Sequence, residues 1–240
     1  MTEQHAGGLQ AVIFDLDGLI LDSETPDYLS WKEVYARHGL DLTVRDWAAV
    51  VGRRDIDLYA PLRKRNVDVA AEGESRRRRH ASLLKDYLTP APGVRNLIDQ
   101  LRLAGVLRGL ASNSDGAYVF EIVERLELRD AFDAIITRDD VTRAKPAPDI
   151  FLAAVSRLGV EAHRCVALED SHPGVAAAKA AGLRCIAVPN VFTRHHDLDR
   201  ADLVVTSLEG VTLEILTGLV SEGTVADPQN PTWRHDSTQR

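Results

Sequence analysis

Short apolar runs of strand length punctuate the chain at residues 11–14, 106–111, 134–137, 165–168, 184–188 and 203–205. Apolar side chains fill successive positions in these runs, which predicts strands covered on both faces, as in a parallel sheet. Helical patterns lie between them. Val94, Leu97, Ile98 and Leu101 fall at i, i+3, i+4 and i+7 and make one apolar stripe, and Phe151, Ala154, Val155 and Leu158 repeat that spacing. Gly105, Gly159 and Gly182 follow three of the helical segments, where a left-handed terminal residue is wanted. Strand and helix in regular succession imply right-handed βαβ units and an open, doubly wound sheet.

One region interrupts the alternation. Residues 23–92 contain helical patterns such as Tyr28, Trp31 and Tyr35 and no convincing strand, and Pro90-Ala91-Pro92-Gly93 reads as the turn that returns the chain to the sheet. The expected organisation is therefore an α/β core in two pieces, residues 1–22 and 93–220, an inserted α-helical domain over 23–92, and a loose polar tail over 221–240. No internal repeat is visible.

The composition agrees with a packed protein. A chain of 240 residues, 45% hydrophobic, is far from the composition of a disordered one. At this length roughly 70–75% of the unfolded surface can be buried without staples. The net charge of −7 argues against a nucleic-acid partner. That charge is unevenly spread: the insert carries 13 basic and 11 acidic residues, the remainder 16 and 25. Two cysteines, Cys165 and Cys185, are too few for a disulfide scaffold and suit a reducing cytoplasm. No secretory signal and no apolar run of roughly 20 residues is seen, so the expectation is a soluble, cytoplasmic protein without a membrane partner, a monomer or homodimer.

The candidate chemistry sits where strands end. In open α/β sheets ligands bind at the carboxyl ends of the strands. The first strand runs into Asp15-Leu16-Asp17-Gly18, the second into Ser112-Asn113-Ser114-Asp115 ahead of a helix, and the fourth into Glu169-Asp170-Ser171. Lys145 lies in the loop after the third strand, before Pro146. Taken singly, DxDG reads as a solvated turn, Ser112 as a helix cap and Lys145 as a surface residue.

Together, in this order, they resemble the four motifs of the haloacid dehalogenase superfamily of phosphohydrolases, over Val12 to about Leu216. The insert, between the first two motifs, resembles that family's small helical cap on a Rossmann-like core, and the nearest subgroup is the β-phosphoglucomutase-like and phosphoglycolate-phosphatase-like proteins. The resemblance implies that Asp15 is a nucleophile forming an aspartyl-phosphate. It implies that Asp17 is the general acid and base, which must carry a proton in the first step. Mg²⁺ would be held by the Asp15 side chain, the Asp17 backbone carbonyl and Asp170, with Glu169 a further ligand or a support behind the others. Lys145, Ser112 and the amide of Asn113 would hold the phosphoryl oxygens.

Asp17 separates the chain from dehalogenases that attack carbon, which lack an acid there, and P-type pumps need membrane helices. In the insert, Arg53 and Arg54 are the best candidates to meet a polar or anionic substrate, and Arg54 is taken as the contact. The run Arg76-Arg77-Arg78-Arg79 points around a helix and is read as surface. His172, before Pro173, is read as a helix-start residue. Phosphomutases of the subgroup carry a histidine where this chain has Asp27 and a cap arginine where it has Asp55, departures that favour a plain phosphatase. The expected function is hydrolysis of a small phosphorylated metabolite, a sugar or polyol phosphate. The rivals are a phosphosugar isomerase and an inactive binding module.

Overall fold

The computed structural model describes residues 8–51 and 56–221, so Arg53, Arg54, Asp55 and the expected tail from residue 222 onward lie outside the described residues. Among those described, six parallel strands form one sheet in the order β3-β2-β1-β4-β5-β6. They are β1 (Ala11–Phe14), β2 (Leu107–Ala111), β3 (Ala134–Ile136), β4 (Cys165–Glu169), β5 (Arg184–Ala187) and β6 (Leu203–Val204). β1 pairs with β2 on one side and β4 on the other, with Phe14 level with both Leu110 and Leu168. The strand order therefore reverses beside β1, and the crevice at the reversal opens at the carboxyl ends of β1, β2 and β4.

The apolar runs match buried strands because both sheet faces are covered. Val12 and Phe14 face a cluster with helices α5 (Val94–Leu103), α6 (Gly116–Arg125) and α9 (Leu213–Ser221). Ala11 and Ile13 face a second cluster with α7 (Asp149–Leu158) and α8 (His172–Ala180). The bounds of five strands differ by one residue from the sequence expectation, β5 and β6 each ending one residue early. Val106 precedes β2, its N–H donating to the Leu101 carbonyl at the end of α5. Thr137 leaves β3 to cap a turn, its hydroxyl accepting from the N–H of Asp139. Glu169, charged, nonetheless completes β4.

The segment between β1 and α5 is helical in its described residues: α1 (Glu24–Arg37), α2 (Val44–Ala48), α3 (Ala60–Arg63) and α4 (Val69–Leu84). It has its own aromatic cluster of Tyr28, Trp31, Tyr35 and Trp47, joined by Phe192 from beyond β5. The chain re-enters the sheet region through Ala91, whose N–H donates to the Ile20 carbonyl at 2.8 Å. Gly93 follows with φ +89°, and a Cβ there would run into the backbone of Leu208 and Glu209. Both the conformation and the close approach exclude a side chain. Gly93→Ala is expected to lower the unfolding free energy by about 2 kcal/mol, read by urea denaturation.

Candidate active site

The carboxyl ends of β1, β2 and β4, the loop before α7 and helices α1 and α4 surround a cavity of about 490 Å³. Asp15, Asp17, Asn113, Lys145 and Asp170 line it, so the sequence-predicted residues converge although the chain separates Asp15 from Lys145 by 130 positions. Ser112 and Glu169 lie just behind, fully buried.

Lys145 organises the floor. Its Nζ donates to Asp15 Oδ1, to Glu169 Oε1 at 2.6 Å and to the Ala111 carbonyl at 2.8 Å, using all three protons. Asn113 aligns the lysine's backbone: its Oδ1 accepts from the Lys145 N–H at 2.9 Å. Burial disfavours the ammonium, but the Asp15 and Glu169 charges outweigh that and hold Lys145 charged. The second oxygen of Glu169 accepts from the Asp170 N–H and from Ser171 Oγ, both at 3.2 Å. The carboxylate fits only because residue 174 is glycine, since a Cβ there would overlap it.

Asp15, Glu169 and Asp170 bring carboxylate oxygens within 4.8 Å of one another, all buried. Burial, only partly offset by Lys145, pushes Asp15 up to about 8, and burial with the Glu169 and Asp15 charges pushes Asp170 well above the carboxylate range. One ammonium is too little positive charge for three buried carboxylates, and a set of hard oxygen donors fits a hard divalent cation. The arrangement therefore suits Mg²⁺. The side chain of Asp17 stands apart from this cluster. Its Oδ2 accepts from Ser114 Oγ at 2.8 Å and Ser112 Oγ at 3.2 Å, and its Oδ1 from Tyr118 Oη at 3.1 Å.

Tyr118 and Asn190 escaped the sequence reading. Tyr118 lies on the first turn of α6, directly past the second motif, and reading on along that turn could have found it. Asn190 donates from Nδ2 to Asp170 Oδ2 at 2.8 Å and to the Gly18 carbonyl at 3.2 Å, tying the first motif to the fourth. Its loop has no pattern that announces the role. His172 is a helix-start residue as expected, its Nδ1 2.7 Å from the Asp197 carbonyl. Arg76 corrects the surface reading of the arginine run. Arg78 and Arg79 pair with Glu74 and Glu33 on the exterior, whereas Arg76 turns into the cavity and pairs with Asp27. Helical rotation sends one of four neighbours inward, and the α1 side chains beneath α4 select which.

Glu24 also lines the cavity, its Oε2 accepting from Trp47 Nε1 at 3.1 Å. Burial first, then the Asp17 and Asp27 charges, push its carboxyl from 4.5 up to about 8. A carboxyl raised on folding binds more protons in the folded state, so its contribution to stability is lost as pH rises between those values. Glu24→Gln mimics the protonated form and removes this dependence. Relative to the parent, the variant should gain about 2 kcal/mol between pH 6 and pH 9 in urea denaturation, and a pH-independent difference would contradict the assignment.

Residues 9–182 match the family of haloacid dehalogenase-like hydrolases. A fructose-1-phosphate phosphatase of Escherichia coli is 33% identical over 193 residues, covering 78% of this chain and 98% of that protein. Hexitol phosphatase B of the same species is 34% identical over 214 residues, 87% of this chain and 96% of its own. The structure of a β-phosphoglucomutase from Clostridium difficile superposes with a TM-score of 0.72 at 26% identity, covering 90% of this chain and 99% of that one.

Proposed function

The chain is a phosphatase that belongs to the haloacid dehalogenase-like hydrolase family, and from that membership we propose that it hydrolyses a small sugar or polyol phosphate through an aspartyl-phosphate on Asp15. One observation carries the mechanism: Asp15 is held by buried Lys145 at the cavity floor while Asp17, two residues on, is held separately by three hydroxyls. Two acids with different partners suit two different tasks.

In the first step an Asp15 oxygen attacks phosphorus, and the bond to the ester oxygen breaks as Asp17 delivers its proton there. In the second, Asp17 takes a proton from water, whose oxygen attacks the same phosphorus and releases inorganic phosphate from Asp15. Lys145 keeps the other Asp15 oxygen oriented and offsets charge on the phosphoryl group. The backbone amide of Asn113 supplies a donor for the phosphoryl oxygens, and Ser112 joins it when its one hydroxyl proton turns from Asp17. The Asp15 and Asp170 side chains and the Asp17 carbonyl, with Glu169 beside them, would hold Mg²⁺, which would supply the positive charge that lets a dianionic ester approach these acids.

The β-phosphoglucomutase likeness supports a second reading, phosphoryl transfer between two hydroxyls of a hexose. Asp27, where mutases of the subgroup carry histidine, weighs against it. Incubation with β-glucose 1-phosphate separates the two, since hydrolysis yields free phosphate and transfer yields glucose 6-phosphate. Over a panel of sugar and polyol phosphates with Mg²⁺, the parent should release phosphate and chelator should stop it. Asp15→Asn should lower the rate by about a thousandfold or more; near-normal turnover by that variant would exclude the covalent route.

A further inference from the structure

Resting on the sugar- or polyol-phosphate reading, we propose that Asp27 and Arg76 form the contact that selects the substrate. They are a fixed acceptor and donor that bind hydroxyl groups of a neutral polyol chain remote from its single phosphate. Both residues line the cavity that contains Asp15 and Asp17, and they face it from the helical insert.

Arg76 is built in rather than solvated. Its side chain is 17% exposed, against 67% for Arg78 and 46% for Arg79. The guanidinium carbon lies 4.7 Å from the centre of the Trp31 ring. Nη1 donates to Asp27 Oδ1 and to Ser30 Oγ, the latter at 3.2 Å. Asp27, Ser30 and Trp31 stand at i, i+3 and i+4 on α1, so one face of that helix grips a single arginine of α4. Arg76 Nε is buried and has no hydrogen-bond partner, an unmet donor in an otherwise satisfied cluster. Asp27 keeps 36% of its side chain exposed and so remains reachable from the cavity.

Among the described residues the charge pattern favours hydroxyls over a second phosphate. Among the described residues lining the cavity, Lys145 is committed to Asp15 and Glu169, and Arg76 is neutralised by Asp27. His80, one turn after Arg76 on α4, also lines the cavity, and burial holds its imidazole below the usual value, so it stays neutral. A neutral imidazole offers one donor and one acceptor, as a hydroxyl does. A second phosphate on the substrate would face Asp17 and Asp27 with no uncommitted cation among these residues. Hydroxyls meet carboxylate acceptors and guanidinium donors in alternation.

The test compares the full-length protein with Arg76→Met, Arg76→Lys and Asp27→Asn on three substrates with Mg²⁺: a hexitol phosphate, fructose 1,6-bisphosphate and p-nitrophenyl phosphate, which has no hydroxyls. The parent should prefer the hexitol phosphate to the bisphosphate. Arg76→Met should raise KM for the hexitol phosphate about tenfold or more, with a smaller change in kcat. Its selectivity ratio, kcat/KM for hexitol phosphate over p-nitrophenyl phosphate, should fall by a similar factor, and Arg76→Lys should restore part of it. Asp27→Asn should move the ratio the same way, and it carries the test if Arg76→Met does not fold. A preference for the bisphosphate, or an equal loss on both monoesters, would overturn the assignment. If no substrate is turned over, the phosphatase mechanism has failed on its own terms, and calorimetry still decides the pocket. Hexitol phosphate should then bind Asp15→Asn about tenfold more tightly than Asp15→Asn/Arg76→Met, and equal affinity would overturn the proposal.

Discussion

Lys145 is the side chain on which the site depends. It is buried at the junction of the sheet and the loop before α7, and all three of its protons are committed, to Asp15, Glu169 and the end of β2. Ionised carboxylates removed from water are costly unless paired, and a buried pair is tolerated only when its remaining valences are filled. Here they are filled from several directions: Ser171 and the Asp170 N–H on Glu169, Asn113 on the lysine backbone. The strand ends of β1, β2 and β4 are thereby joined through one ammonium group.

The same constraint explains the divergence of the two aspartates of the first motif. Asp15 is drawn inward to Lys145, in the company of Glu169 and Asp170, three buried carboxylates that share one ammonium. Asp17 turns the other way, to hydroxyls of the second motif and Tyr118. The sheet sets both positions, because β1 lies between β2 and β4 and its end is flanked by both motifs. The helical insert adds a face that the sheet does not supply, with Glu24, Asp27, Arg76 and His80 opposite the acids.

Much of this was legible in the sequence because the relevant signals are local. Strands buried on both faces leave unbroken apolar runs, and the residues directly past them carry the chemistry, so Asp15, Ser112, Lys145 and Asp170 could be placed at one crevice. Glu169 could be placed near them, but its share in holding Lys145 depends on the space left by Gly174, a residue from the next helix. Arg76 was misread because α4, with its run of arginines, lacks an apolar stripe to fix its rotation. The phase is set by Trp31 and Ser30 of α1, 45 and 46 positions away. Tyr118 and Asn190 act through contacts across 101 and 20 positions, and neither residue type announces a partner.

The most direct measurement is a stability cycle on Lys145 and Glu169 by urea denaturation at neutral pH. Lys145→Met alone should cost about 3 kcal/mol, because it strands two buried carboxylates. Adding Glu169→Gln should then recover at least about 1 kcal/mol, because one of those charges is gone. Losses that simply add would mean that the lysine and the glutamate do not support one another, and the account of the site built on their union would be wrong.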